Sequence, residues 1–167
     1  MRTSLLGARG SPDHVKLDLL RLVQAHADDL TPAAPAHMDD LLRYVDLTAG
    51  IVLSLAVRIF DPDAAGNTKA AASGVARAWG LSRLLWAVPL HAGRGWVYLP
   101  PAPNSPDDRV TAADLKALRA DALPPNHVIA SLRVVAEAAE DEAPPPIFFS
   151  IMVSSHTDNI LMDSRVF

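Results

Sequence analysis

The chain has 167 residues, of which half are hydrophobic and a fifth are charged, so we expect one folded domain and not a disordered polymer. With 15 basic against 19 acidic residues the net charge is −4, and no overall positive field favours nucleic acid as a partner. The lack of cysteine excludes a disulfide framework, a thiol nucleophile and thiolate metal sites.

The first eleven residues carry Arg2, Arg9 and two serines but no acid. This composition is typical of a matrix-targeting presequence, although the stretch is short for one; the alternative is a frayed start of the domain. No run reaches the roughly 18 to 20 apolar residues that a membrane-spanning helix needs. The best run, Ile51 to Val57, ends at Arg58, so a spanning helix is not expected.

The first helix is predicted from Pro12 to about Leu30, because Ser11 can cap free N–H groups and Asp13 suits the helix dipole. A second helical pattern extends from His37 to Phe60. Its second half is apolar on nearly all sides, which predicts that this part is buried.

A third helix is expected from Asp63 to about Trp86. It contains small residues that allow neighbouring helices to approach closely, and its glycines cost about 1 kcal/mol each relative to alanine. These small residues are Ala70, Ala71, Ala72, Gly74, Ala76, Ala78 and Gly80. Glycines and prolines between Gly93 and Pro106 then predict an irregular segment, whose apolar part, 96–99, should pack back on the helices.

Two further helices follow in the predicted order of elements. One begins after Thr111, with Asp114 three residues on as in a capping box, and the other is capped by Asn126 and runs through Val135. The predicted fold class is therefore all-α.

The character of the chain changes near its end. Three prolines, 144–146, break any helix, and the apolar, β-prone run 147–153 follows them. No hydrophobic periodicity continues from the helical part of the chain into this end. We therefore expect an N-terminal segment (1–12), a helical domain (13–142) and an unassigned tail (143–167).

The histidines do not indicate a metal site. None has the His-x-x-x-His or Glu-paired spacing of a zinc-binding helix, and glycine-rich phosphate loops and a Gly-x-Ser-x-Gly elbow are also absent. We interpret His14, His26, His37 and His127 as surface or capping residues.

Carboxylates occur as the neighbouring pairs 28–29 and 39–40. A magnesium–diphosphate site needs oxygens that converge from one face of a helix, whereas adjacent side chains point in different directions. Asp39 and Asp40 are also poorly spaced from Asp46. We interpret the acids as favourable charges at helix starts.

Several groups of residues occur in an order and spacing that a known family shares. They are Asp29-Leu30, Leu42, Tyr44, Ala49-Gly50, Ala78, Gly95 and Tyr98-Leu99-Pro100. Over roughly residues 15–140 the chain resembles the middle of squalene/phytoene synthase-type proteins. The resemblance implies an isoprenoid-synthase-like helical bundle. We expect the bundle to be partial, incomplete at both ends, because the family's first aspartate motif would precede the start of this chain.

The chain departs from the synthases at the family's second aspartate motif. Counted back from Tyr98-Leu99-Pro100 without gaps, the two aspartates that would hold Mg²⁺ and the substrate diphosphate fall on Ala87 and His91. Without these carboxylates the ionisation of an allylic diphosphate loses its main electrostatic assistance. Other polar positions of the motif fall on Trp86, Arg83, Gly80 and Trp96.

The pattern Ala-x-Pro-x-His at 87–91, followed by Arg94 and Tyr98, is instead similar to a non-catalytic branch of the family. That branch includes a mitochondrial assembly factor for respiratory complex I and its bacterial relatives. The resemblance implies no catalytic residue, no metal and no cofactor. It implies protein partners in complex I assembly and peripheral association with the matrix side of the inner mitochondrial membrane, or a cytoplasmic, membrane-peripheral place in a bacterium.

By the same resemblance, Ala87, His91, Arg94 and Tyr98 are vestigial positions of a substrate cavity. His91 and Arg94 could present donors to a phosphate or to a partner's carboxylate. Alternatively, His91 caps the C-terminus of a helix and Arg94 is a solvated loop residue.

Two other interpretations of function stay open. The chain could be a prenyl-diphosphate-using transferase with Mg²⁺ as its cofactor, or a degenerate fragment of such an enzyme. A magnesium-dependent change in stability with a prenyl diphosphate would favour the transferase.

Overall fold

A computed structural model of the chain describes residues 12–30, 33–117 and 124–143. Within these ranges the chain is helical or irregular and has no strand, which confirms the all-α prediction. The predicted targeting segment, the Ser11 cap and the run 147–153 lie outside the described residues. The helices are α1 (Pro12–Asp28), α2 (Met38–Val45), α3 (Ile51–Phe60), α4 (Gly66–Arg94), α5 (Ala112–Ala117) and α6 (Asn126–Asp141).

A π-helical turn, Asp46–Gly50, joins α2 and α3 into one helical body. The N–H of Ile51 bonds the carbonyl of Asp46, five residues back, and the Thr48 hydroxyl donates to the Tyr44 carbonyl at 2.8 Å. A hydroxyl that takes a backbone carbonyl competes with the regular helical hydrogen bond and favours such a local widening. The second predicted helix therefore exists, but with an interruption.

Helix α4 lies at the centre of the described fold and contacts α2, the π-helical turn, α3, α5 and α6. Gly80 is the point of closest approach, since a Cβ there would lie 2.5 Å from Val45 Cγ1 and 3.2 Å from Ala49 Cβ. The small residues of α4 thus allow the predicted close crossing. The largest fully buried side chains around it include Leu41, Val45, Leu81, Val128 and Val135.

Helix α4 begins at Gly66 and continues to Arg94, so the predicted start at Asp63 and end near Trp86 are wrong. Pro89 lies inside the helix and removes one N–H donor without ending it. The helix ends where Gly95 adopts φ 80°. The N–H of Trp96 then bonds the His91 carbonyl at 2.9 Å, and the N–H of Gly95 bonds the Ala92 carbonyl at 3.1 Å, which is a Schellman cap.

Helix α3 contradicts the prediction that the second half of the pattern 37–60 is buried. None of its residues is buried, and Val52, Ile59 and Phe60 are 51%, 74% and 87% exposed. The reason is that α3 meets α1, the π-helical turn and α4, which leave part of its circumference uncovered within the described chain. None of the described helices has the length and hydropathy of a membrane-spanning segment.

The segment after α4 packs back on the helices, as predicted, with Val97, Leu99 and Val110 buried. The capping box before α5 is confirmed: the Thr111 N–H donates to Asp114 Oδ2 at 2.8 Å, and the Asp114 N–H donates to Thr111 Oγ1 at 3.2 Å. Asn126 is the first residue of α6 and not its cap, a position that Pro125 occupies.

Candidate functional site

Three segments that are distant in sequence meet around the carboxylate of Asp29, just after α1. Tyr98, in the segment after α4, donates its hydroxyl to Asp29 Oδ1 at 2.8 Å. Tyr44 of α2 donates to Asp29 Oδ2 at 3.0 Å, and His26 Nδ1 lies 3.2 Å from the same oxygen. The two tyrosine rings are 5.5 Å apart. We call Asp29, Tyr44, Tyr98 and His91, which contacts Tyr98, the tyrosine–aspartate cluster.

The chain reaches this geometry through the end of α4. The left-handed conformation of Gly95 reverses the chain, and the buried side chains of Val97 and Leu99 fix the returning segment against the core. Tyr98, between these two buried residues, is partly buried at the edge of the core and reaches Asp29 and the ring of Tyr44.

Burial and the bond to Asp29 together raise the pKa of Tyr44 above its usual value, and the same two causes raise the pKa of Tyr98. Both phenols are therefore protonated donors over the physiological range. Both oxygens of the Asp29 carboxylate are taken up as acceptors. These hydrogen bonds tie Asp29, just after α1, to α2 and to the segment after α4.

His91 packs its ring against Tyr98, with ring centroids 4.7 Å apart. Burial lowers its pKa, an effect that the nearby Arg94 adds to and Asp29 opposes, so the ring is neutral at physiological pH. Its Nδ1 is buried and has no hydrogen-bond partner among the described residues. His91 therefore contributes an uncharged polar group to the cluster.

The structure brings two of the four predicted cavity positions into direct contact, His91 and Tyr98. Ala87 lies one turn before His91 on α4 and is half-buried. Arg94 is exposed, and its guanidinium lies 5.2 Å from the ring of Trp96. Arg94 is thus the last residue of α4 and not a loop residue as one interpretation had it, and it stacks on Trp96.

Asp29 and Tyr44 were not predicted as site residues, although both stood among the residues that carried the family resemblance. The signal was present in sequence, since Asp29 and Tyr44 recur in the family pattern together with Tyr98. Reasoning from carboxylate spacing missed Asp29 because its partners are tyrosines 15 and 69 positions away and not other acids.

The family resemblance suggests a magnesium site at this end of α4, but the residues found there do not fit one. Ala87 offers a methyl group, His91 an imidazole, and both oxygens of Asp29 are already hydrogen-bonded. Across residues 12–30, 33–117 and 124–143, no three histidine, aspartate or glutamate side chains converge as metal ligands would. Hard oxygen ligands that Mg²⁺ prefers are therefore not gathered in this cluster.

A second polar cluster lies at the middle of α4. Arg77 forms a two-pronged pair with Asp46 of the π-helical turn, at 2.8 and 2.9 Å, and its third nitrogen reaches Glu142 Oε1 at 2.8 Å. Beside it, an open cleft of about 650 Å³ lies between α1, α3 and the first half of α4. Polar lining residues include Asp18, Arg58 and Lys69, and Arg58 is paired with Asp18 at 2.9 Å.

Among known proteins, the chain resembles one family. The family model for squalene/phytoene synthase matches residues 6–143. Searches of curated proteins and of solved structures gave no match to the chain. The family match spans most of the chain and includes every residue of the tyrosine–aspartate cluster, and the helical architecture agrees with the family's isoprenoid-synthase-like fold. The chain therefore belongs to the squalene/phytoene synthase family.

Proposed function

We propose that this chain is a family member that does not catalyse prenyl condensation, and that it acts through protein contacts in the assembly of mitochondrial respiratory complex I. The observation that carries the first half of the proposal is the end of α4. There the side chains of Ala87 and His91 occupy the positions that correspond, by resemblance, to the synthases' second pair of aspartates.

The chemical argument concerns charge. Ionisation of an allylic diphosphate develops negative charge on the leaving group, which Mg²⁺ held by carboxylates neutralises. A methyl group and a neutral imidazole, whose pKa burial has lowered, supply no negative charge to hold that metal. The cluster instead uses its one carboxylate to bind two tyrosine hydroxyls, which is a structural role.

The assembly role is supported by the resemblance of the pattern at 87–91, with Arg94 and Tyr98, to the non-catalytic branch. Under this proposal the chain works at the matrix side of the inner mitochondrial membrane as a peripheral protein, or in the cytoplasm at the membrane of a bacterium. The competing proposal is a prenyl-diphosphate-using transferase. The cleft beside Asp46, with Arg58 and Lys69 in its lining, is the observation that favours it.

Thermal unfolding of the purified full chain, with and without farnesyl diphosphate and Mg²⁺, tests catalytic silence. A ligand that binds only the folded state raises the midpoint, and saturation at a hundred times the dissociation constant adds about 2.7 kcal/mol. We expect one cooperative transition that neither addition changes. A transition that rises only when both are present would return the chain to the transferases, and the lack of any transition would favour the degenerate fragment.

A matched variant shows whether the missing acids are the cause. The double substitution Ala87→Asp and His91→Asp places two carboxylates one turn apart on α4, where they can share a cation. We expect a magnesium-dependent rise of the unfolding midpoint with the diphosphate to arise only in this variant.

A genetic experiment tests the assembly role. Deletion of the gene in its host should lower complex I activity. Unchanged complex I after deletion would contradict that role.

A further inference from the structure

We draw no further inference here: the strongest candidate, the exposed apolar side of α4 that includes Val75, Trp79 and Leu90, carries none because nothing in the described part of the chain shows what covers it.

Discussion

At the scale of single residues, one carboxylate organises the candidate site. Asp29 accepts hydrogen bonds from Tyr44 and Tyr98, which are the only two tyrosines of the chain. Bonds to a charged acceptor are about twice as strong as neutral ones, and here each of them crosses between separate elements. The cluster should therefore contribute to stability and should be visible in the titration of both tyrosines.

Ionisation of the tyrosines provides the first prediction. Their pKa values are raised in the folded chain above the unfolded value near 10, so the stability they contribute is fully present below pH 10 and decreases as the pH rises through the folded values. Ultraviolet absorbance at about pH 10 should show little tyrosinate in the folded chain and about half ionisation in urea. Ordinary titration of either tyrosine in the folded chain would contradict the prediction.

The variant Asp29→Asn belongs to the same prediction. It should bring both tyrosine titrations toward the ordinary value and lower the free energy of unfolding by about 1–3 kcal/mol, because two hydrogen bonds lose their charged acceptor. The neighbouring Asp28→Asn is the matched control, since Asp28 is exposed and accepts a hydrogen bond from Gln24 of its own helix. Urea unfolding of the control should agree with the unmodified chain within about 0.5 kcal/mol.

The sequence predicted part of this site. His91 and Tyr98 were placed in the former cavity by resemblance, and the structure shows their rings in contact. That Asp29 joins them was not predicted. The contact depends on where α4 ends, and that end is determined by the Schellman cap at Gly95. The bond from Tyr98 to Asp29 spans 69 residues, a separation for which local patterns carry no information.

At the scale of elements, the crossing of α4 with α2 and the π-helical turn depends on the absence of a side chain at Gly80. Sequence reasoning predicted close approach from the small residues of α4, and Ala76, Ala78 and Gly80 are indeed buried. The same reasoning failed for α3, because an apolar sequence does not specify which neighbours cover it. It also placed the end of α4 too early, because Pro89 costs one hydrogen bond while the helix continues to pack on both sides of it.

Gly80→Ala provides the second prediction. The new Cβ would lie 2.5 Å from Val45 Cγ1, closer than van der Waals contact allows, so α2 or the Val45 side chain has to move. We expect a loss of about 1–3 kcal/mol in the free energy of unfolding, despite alanine's better helix propensity.

Two further variants check the cause. In the double variant Val45→Ala with Gly80→Ala, the loss should be smaller than the sum of the two single losses, because the methyl groups that the new Cβ meets are gone. Gly66→Ala is the control, since nothing lies within 4 Å of a Cβ at that position at the start of α4. If Gly80→Ala and Gly66→Ala have equal effects on urea unfolding, the close crossing does not limit packing.

At the scale of the whole molecule, the described helices are unequally attached. Helix α4 packs against α6, α2 and the π-helical turn. Its Arg77 also binds Asp46 of the π-helical turn and Glu142, which directly follows α6. Helix α1 instead has one buried residue, Ala25, while Leu17, Leu19, Leu20 and Val23 are 44–66% exposed. Among the described residues, its polar attachments include the pair of Asp18 with Arg58 and the bonds to Asp29 just after it.

Because few buried apolar contacts hold α1, it should open without the rest of the fold, which is the third prediction. In native-state hydrogen exchange followed by mass spectrometry, we expect amides of α1 to exchange at least about tenfold faster than those of α4 and α6, a difference of about 1.4 kcal/mol in opening free energy. Asp18→Asn should accelerate exchange in α1 and leave α4 unchanged, while Asp28→Asn should change neither. Equal opening free energies for α1 and α4 would contradict this prediction, because the helices would then unfold as one cooperative unit. In that case the tyrosine–aspartate cluster, and not the buried area of α1, would determine the stability of its attachment.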